Sequence, residues 1–115
     1  MAENKLANLH NIHFIGIGGA GMSALAYVLI KRGYDVIGSD LNAGHMSAHL
    51  AEEGAMVFMG HDACQVDGAD GVVISTAIHA NNPELVAAQK KGIPVLHRSD
   101  VLAALLNDAD GVAVA

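Results

Sequence analysis

The chain contains no tryptophan, and its aromatic complement is two tyrosines and two phenylalanines, 3% of the residues. Its core must therefore be aliphatic, drawn from Ala, Val, Ile, Leu and Met, and a hydrophobic content of 52% supplies ample material. A single cysteine, Cys64, excludes an internal disulfide, which suits a reducing compartment. Cys64 also lacks an activating neighbour in the sequence, so it reads as a packing residue and not as a nucleophile. Positive charge is scarce: the net charge is -6, and no basic run exceeds Lys31-Arg32 or Lys90-Lys91. Nucleic acid needs a basic stripe to release counterions, so it is excluded as a partner. A nucleotide is not excluded, because backbone amides can hold its phosphates without any lysine. No apolar run approaches the roughly 20 residues that span a bilayer. The opening MAENKLANLHN lacks the apolar segment of a signal peptide. These absences predict a cytoplasmic protein with no membrane partner.

Catalytic patterns are missing too. There is no G-x-x-x-x-G-K-[ST], no Ser-His-Asp set and no paired carboxylates. His45 and His49 have the i, i+4 spacing that could grip a metal, but no third ligand lies near them in sequence, so no metal site is expected.

Glycine, by contrast, is abundant, with 13 residues in a chain of 115, a length that fits one compact domain. The segment HFIGIGGAGMS places Gly16, Gly18 and Gly21 in the spacing G-x-G-x-x-G, between an apolar strand and a helix-compatible run. In that pattern the first glycine permits a tight turn. The second lets the backbone approach a pyrophosphate, and the third lets the helix pack close to the sheet. The amides of residues 19 to 23 would then face an anion on the helix axis.

Strands are predicted over 12–17, 34–39, 56–59, 71–75 and 95–97. Helices are predicted over 20–32, 47–53 and from Asn82-Pro83-Glu84 to Lys91, with a last one capped by Ser99 and ending near Asn107. Gly33, Gly54 and Gly92 stop the earlier helices. The apolar runs lack polar alternation, as in parallel strands covered on both faces. Right-handed crossovers then give an α/β, Rossmann-like, doubly wound sheet in the order 3-2-1-4-5, with its switch point between strands 1 and 4. The closing GVAVA reads as one more buried strand, which suggests a chain cut inside a larger protein.

Other candidates gather at the carboxyl edge of this sheet. Asp40 ends strand 2, nineteen residues past Gly21 (40 - 21), where a carboxylate can accept from a ribose diol. Ser75 and Thr76, in STAI after strand 4, could donate to a phosphate or a base, or could form an ordinary turn. His61, after strand 3, is either a base or ribose contact or a solvated loop histidine. From the residues alone, NAD and a nucleotide sugar fit the glycine loop equally well. A regulatory nucleotide-sensing module without chemistry also fits.

The set HFIGIGGAGMSALA, GSDL, Gly54-Ala55 with Gly60-His61, STAI, NPELVAA, GIPVLHRSDVLAAL and GVAVA, in this order, resembles the N-terminal domain of the Mur ligases from about Asn11 onward. The resemblance implies joining of L-alanine to the lactyl carboxyl of UDP-N-acetylmuramate, with ATP and magnesium. This domain would hold the UDP part while absent central and C-terminal domains bind ATP and the amino acid. It implies that residues 1–109 form the nucleotide domain and that 110–115 begin the central one. It implies that Gly18, Gly19, Ala20, Gly21 and Met22 face the diphosphate and that Asp40 and Leu41 hold the uridine. Ser75, Thr76 and Ala77 would line the opposite side, with His61 a weaker carry-over. No catalytic residue is implied within these 115 residues. Ser47 stands where relatives often have threonine, and STAI where they often have two serines; both keep a hydroxyl. A sister branch adds a whole tripeptide, and its pattern after the glycines differs from GGAGMSALA.

Overall fold

The computed structural model describes residues 9–18, 21–40 and 45–108. The elements run β1 (Asn11–Ile15), α1 (Met22–Lys31), β2 (Asp35–Asp40), α2 (His45–Glu52), β3 (Met56–Met59), a 3-10 turn (Ala63–Val66), β4 (Gly71–Ile74), α3 (Pro83–Lys90), β5 (Val95–His97) and α4 (Arg98–Asp108). The five strands are all parallel in the order β3-β2-β1-β4-β5, as the alternation of strand and helix predicts. The GVAVA segment lies outside the described residues.

Local chemistry accounts for the boundaries. Along α1, Met22, Leu25, Ala26 and Leu29 recur on one stripe and are buried. The helix closes where the amides of Gly33 and Tyr34 return to the carbonyls of Ile30 and Leu29, a bonding pattern that needs the left-handed φ of +95° at Gly33. The ends of α2 and α3 repeat the pattern of bonds at Gly54-Ala55 and Gly92-Ile93. At α3, Asn82 Oδ1 accepts from the amides of Glu84 and Leu85, and Pro83 occupies the first helical position.

Helix α4 departs from expectation. It starts at Arg98, and Ser99 does not cap it: its hydroxyl bonds His97 Nδ1 at 2.8 Å. The carboxylate of Asp100 instead reaches back to the His97 amide at 3.2 Å. The 3-10 turn was not expected either. Cys64 lies on it and is exposed, so it is not a packing residue. Hydrogen bonding to Asp62 and its negative charge raise the Cys64 thiol pKa, which argues further against a nucleophile.

The sheet separates two apolar clusters. Ile12, Phe14 and Val73 pack against Leu25 and Leu29 of α1, Leu50 of α2, and Val101 and Leu105 of α4. On the other face, Ile15 and Val72 meet Val66 of the 3-10 turn and Leu85 and Ala88 of α3. His49 is stacked on Tyr27 across α1 and α2, with ring centroids 5.8 Å apart. No described helix is long and apolar enough to cross a membrane.

Candidate functional site

The site is built where β1 ends beside β2. The chain turns at Gly16, whose φ of +81° suits a residue without a side chain. The amides of Gly16 and Ile17 both donate to the Ser39 carbonyl, at 2.8 and 2.9 Å. The next amide, that of Gly18, donates to Asp40 Oδ2 at 2.8 Å. The last two residues of β2 therefore hold the glycine loop. Gly38 makes room for it: a Cβ there would lie 2.5 Å from Ile17 Cδ1 and 2.6 Å from Ile17 Cβ. Sequence reasoning gave this glycine no role.

Helix α1 then begins after Gly21 with no side-chain cap. Its first-turn amides and the positive end of its dipole are thereby open to an anion. Gly21 was expected to allow close helix–sheet packing. Instead its φ is +80°, and a Cβ on it would lie 3.3 Å from Arg98 Nη1. The exposed Arg98 guanidinium thus stands beside the start of α1. Arg98 belongs to HRSD, a segment carrying no site residue in the sequence reading, and is separated from the glycines by most of the chain.

The turn after β4 comes to the same place. The Ile78 amide donates to the Ser75 carbonyl at 3.1 Å, and the Ala77 amide donates to Ser75 Oγ at 3.3 Å. Ile78 Cδ1 lies 3.3 Å from where a Cβ of Gly16 would be, so this turn packs directly on the glycine loop. Thr76 and Ala77 are exposed there. Met22 is buried at the start of α1 and joins the core, leaving only its backbone to face a ligand. Gly19, Ala20 and Leu41 lie outside the described residues.

His61 is not a solvated loop residue. Its Nδ1 lies 2.9 Å from Ser39 Oγ and 3.2 Å from Glu84 Oε2. Glu84, fully buried, is the centre of a polar cluster under the sheet's carboxyl edge. His13 Nε2 meets Glu84 Oε1 at 2.5 Å, and Ser39 Oγ donates to the same oxygen at 2.7 Å. The Asp62 amide and Gln65 Nε2 donate to Oε2 at 3.0 and 2.7 Å. Desolvation pushes the Glu84 pKa up. The hydrogen bonds from His13 and Ser39, the His13 charge and the Asp62 amide outweigh it and bring the carboxyl down to about 2. Sequence reasoning missed Glu84 and His13, which are 71 residues apart. The one available signal was a histidine in the middle of an apolar strand.

A cavity of about 230 Å³, lined by Leu9, His10, Arg32, Gly33 and Tyr34, lies at the opposite edge, where β1 and β2 begin. Ligands of open parallel sheets bind outside the carboxyl ends at the switch point, so that cavity is not the candidate site.

The model of the Mur ligase family, catalytic domain, matches residues 11–109. The chain belongs to the Mur ligase family. It is 47% identical over 105 residues to the UDP-N-acetylmuramate–L-alanine ligase of Burkholderia vietnamiensis, covering 91% of this chain and 23% of that protein. The corresponding protein of Cupriavidus pinatubonensis is 51% identical, with 91% of this chain and 22% of that one covered. The chain thus spans under a quarter of the length of these relatives. Among solved structures, UDP-N-acetylmuramate-alanine ligase from Thermotoga maritima superposes with a TM-score of 0.81 at 35% identity, over 85% of this chain and 23% of that one. The UDP-N-acetylmuramate:L-alanyl-γ-D-glutamyl-meso-diaminopimelate ligase of Neisseria meningitides superposes at 0.72 with 33% identity, over 78% and 29%. A putative NAD-dependent epimerase/dehydratase from Bacillus halodurans, at 18% identity and a TM-score of 0.55, shares the fold alone.

Proposed function

We propose that this chain is the nucleotide-holding domain of an ATP- and magnesium-dependent ligase that joins L-alanine to UDP-N-acetylmuramate in the cytoplasm. The observation that carries the proposal is the convergence of the glycine loop, Asp40 and the Ser75–Ala77 turn at the switch point. The diphosphate sits against the backbone of residues 18–22, on the dipole of α1, with Arg98 supplying positive charge. Asp40 and Leu41 hold the uridine with His61 on the same side, and Ser75, Thr76 and Ala77 close the other side. ATP and magnesium supply phosphoryl transfer, for which this chain offers no phosphate loop of its own. The role of these 115 residues is to bind and orient the nucleotide sugar for the remainder of a full-length ligase.

The names of the 47% and 51% identical relatives support L-alanine as the added group over a tripeptide. Side-by-side calorimetric titration of the chain with UDP-N-acetylmuramate, UDP and NAD tests the ligand. All three carry a pyrophosphate, so preference must arise at the base and sugar contacts. Each retained hydrogen bond is worth about 1 kcal/mol, and several give tenfold or more. Both uridine nucleotides are expected to bind more tightly than NAD. Tighter binding of NAD would return the domain to dehydrogenase-type recognition.

A further inference from the structure

The cluster around Glu84 determines which nitrogen of His61 carries a proton. An ionised carboxylate can only accept hydrogen bonds. Ser39 has one hydroxyl proton, and it goes to Glu84 Oε1 at 2.7 Å, which leaves its oxygen facing His61 as an acceptor. Gln65 cannot relieve this arrangement. Its Nε2 lies between two acceptors, Glu84 Oε2 and the Gly60 carbonyl, so the amide nitrogen is correctly placed as a donor to both. His61 Nδ1 therefore faces Glu84 Oε2 and Ser39 Oγ, two acceptors, and must be the protonated nitrogen. In the neutral ring Nε2 then holds a lone pair.

That second nitrogen is not sealed in. Among the described buried side-chain nitrogen and oxygen atoms, only His13 Nδ1 lacks a partner. His61 retains 13% side-chain exposure. The segment is also tied to the uridine side of the site, because the Gly60 amide donates to the Asp40 carbonyl at 2.6 Å.

We propose that Glu84, directly and through Ser39, is a positioning residue that locks His61 in the Nδ1–H tautomer, so that Nε2 meets a hydrogen-bond donor of the bound nucleoside. The donor is a ribose hydroxyl or the uracil imide N–H. A phosphate oxygen is the wrong partner for neutral His61, since acceptor would face acceptor. The ligand half of this inference rests on the uridine-nucleotide reading; the tautomer half does not.

The test is long-range proton–nitrogen NMR on the nitrogen-15-labelled chain at about pH 8, with His61 assigned by its loss in His61→Gln. The neutral ring is expected to carry its proton on Nδ1, the less common form of histidine in water. A ring protonated on Nε2 overturns the proposal. UDP is then added, with the Gly18 amide as an independent reporter of binding. Movement of Gly18 together with His61 Nε2 is expected, and movement of Gly18 with Nε2 unchanged overturns the ligand half. If UDP moves neither, the uridine-nucleotide reading falls and the ligand half with it, while the ligand-free spectrum still decides the tautomer. UDP analogues methylated at uracil N3 or lacking the ribose hydroxyls distinguish the two donors: the analogue lacking the right donor leaves Nε2 unmoved. In Glu84→Gln, judged folded by circular dichroism, the Nδ1–H form is expected to lose its dominance and UDP affinity to fall about tenfold. Unchanged tautomer and affinity in that variant would remove Glu84 from the role. Should Glu84→Gln not fold, Ser39→Ala removes one of the two acceptors that face Nδ1; a weaker Nδ1–H preference and weaker UDP binding are expected, and no change in either would remove Ser39 from the role.

Discussion

The two faces of the sheet are covered in different ways. On one, α1, α2 and α4 close over Ile12, Phe14 and Val73 in an apolar layer. On the other, the connection from β3 to β4 is a 3-10 turn of 4 residues, where the first face has helices of 8 to 11. This thinner cover buries a smaller apolar cluster around Ile15 and Val72, and beside it the polar group of His13, Ser39 and Glu84, which the half-buried Gln65 joins. The dry face derives its stability from area and packing, which do not depend on pH. The wet face depends on a carboxylate remaining ionised. Strand β1 carries both, because successive side chains point to opposite faces: Ile12 and Phe14 to one, His13 and Ile15 to the other.

The largest way to break this contrast is to open the dry face. Phe14 is fully buried, and Phe14→Ala is expected to cost about 4 kcal/mol, measured by urea unfolding at neutral pH. Its loss should be the same at pH 7 and pH 5. A strong pH dependence of that difference would mean that the two faces are coupled through β1.

The wet face should fail by acid. The Glu84 carboxyl is held at about 2 in the fold, below its ordinary 4.5. A depressed pKa means that its contribution is complete above about pH 4.5 and is lost as pH falls towards 2. The integrated loss is about 3 kcal/mol, since one pH unit is worth about 1.4 kcal/mol. Unfolding curves at several pH values should show this slope in the wild type and a flatter one in Glu84→Gln. Equal slopes would move the acid sensitivity to another carboxylate.

A smaller change tests the support under the glycine loop. In Gly38→Val the new side chain must displace Ile17, whose atoms lie within 2.6 Å of the new Cβ. Overpacking of this kind costs about 2 kcal/mol in stability. UDP affinity, read by calorimetry, should fall as well, because Ile17 lies inside the loop. Retained affinity would show that the loop's position tolerates the shift.

The smallest effect belongs to Arg98, which the dry-face helix α4 contributes to the site. Arg98→Ala should leave stability near wild type and weaken UDP binding by about 1 kcal/mol at low salt, with less effect at high salt. A loss of stability in place of affinity would make Arg98 a packing residue.

Much of the fold was legible because its signals are local. The strand order follows from alternation and crossover handedness, and the stops at Gly33, Gly54 and Gly92 follow from helix-end chemistry. The glycine loop and the STAI turn were placed together by topology, and Ile78 on Gly16 realises that placement. What could not be read was long-range or a competition between neighbours. Glu84 is an unremarkable first-turn acid until β1 and β2 bring His13 and Ser39 over it. At α4, Ser99 and Asp100 both suit a helix start, and the longer reach of the Asp100 side chain to the His97 amide prevailed. Gly38 is a strand residue whose further role could not be read locally, because the need for a bare Cα there arises from Ile17, in another segment.

The attachment of Gly16 and Ile17 to β2 has a consequence for how sequences of this kind can drift. Both amides land on the carbonyl of Ser39, an atom that every amino acid possesses. Substitution at position 39 can delete the hydroxyl used by Glu84 but cannot delete that anchor. The neighbouring clasp, from the Gly18 amide to Asp40, is made by a side chain and can be erased by a single codon change. One half of the loop's attachment is therefore inherited with the backbone, and the other half must be maintained by selection on Asp40.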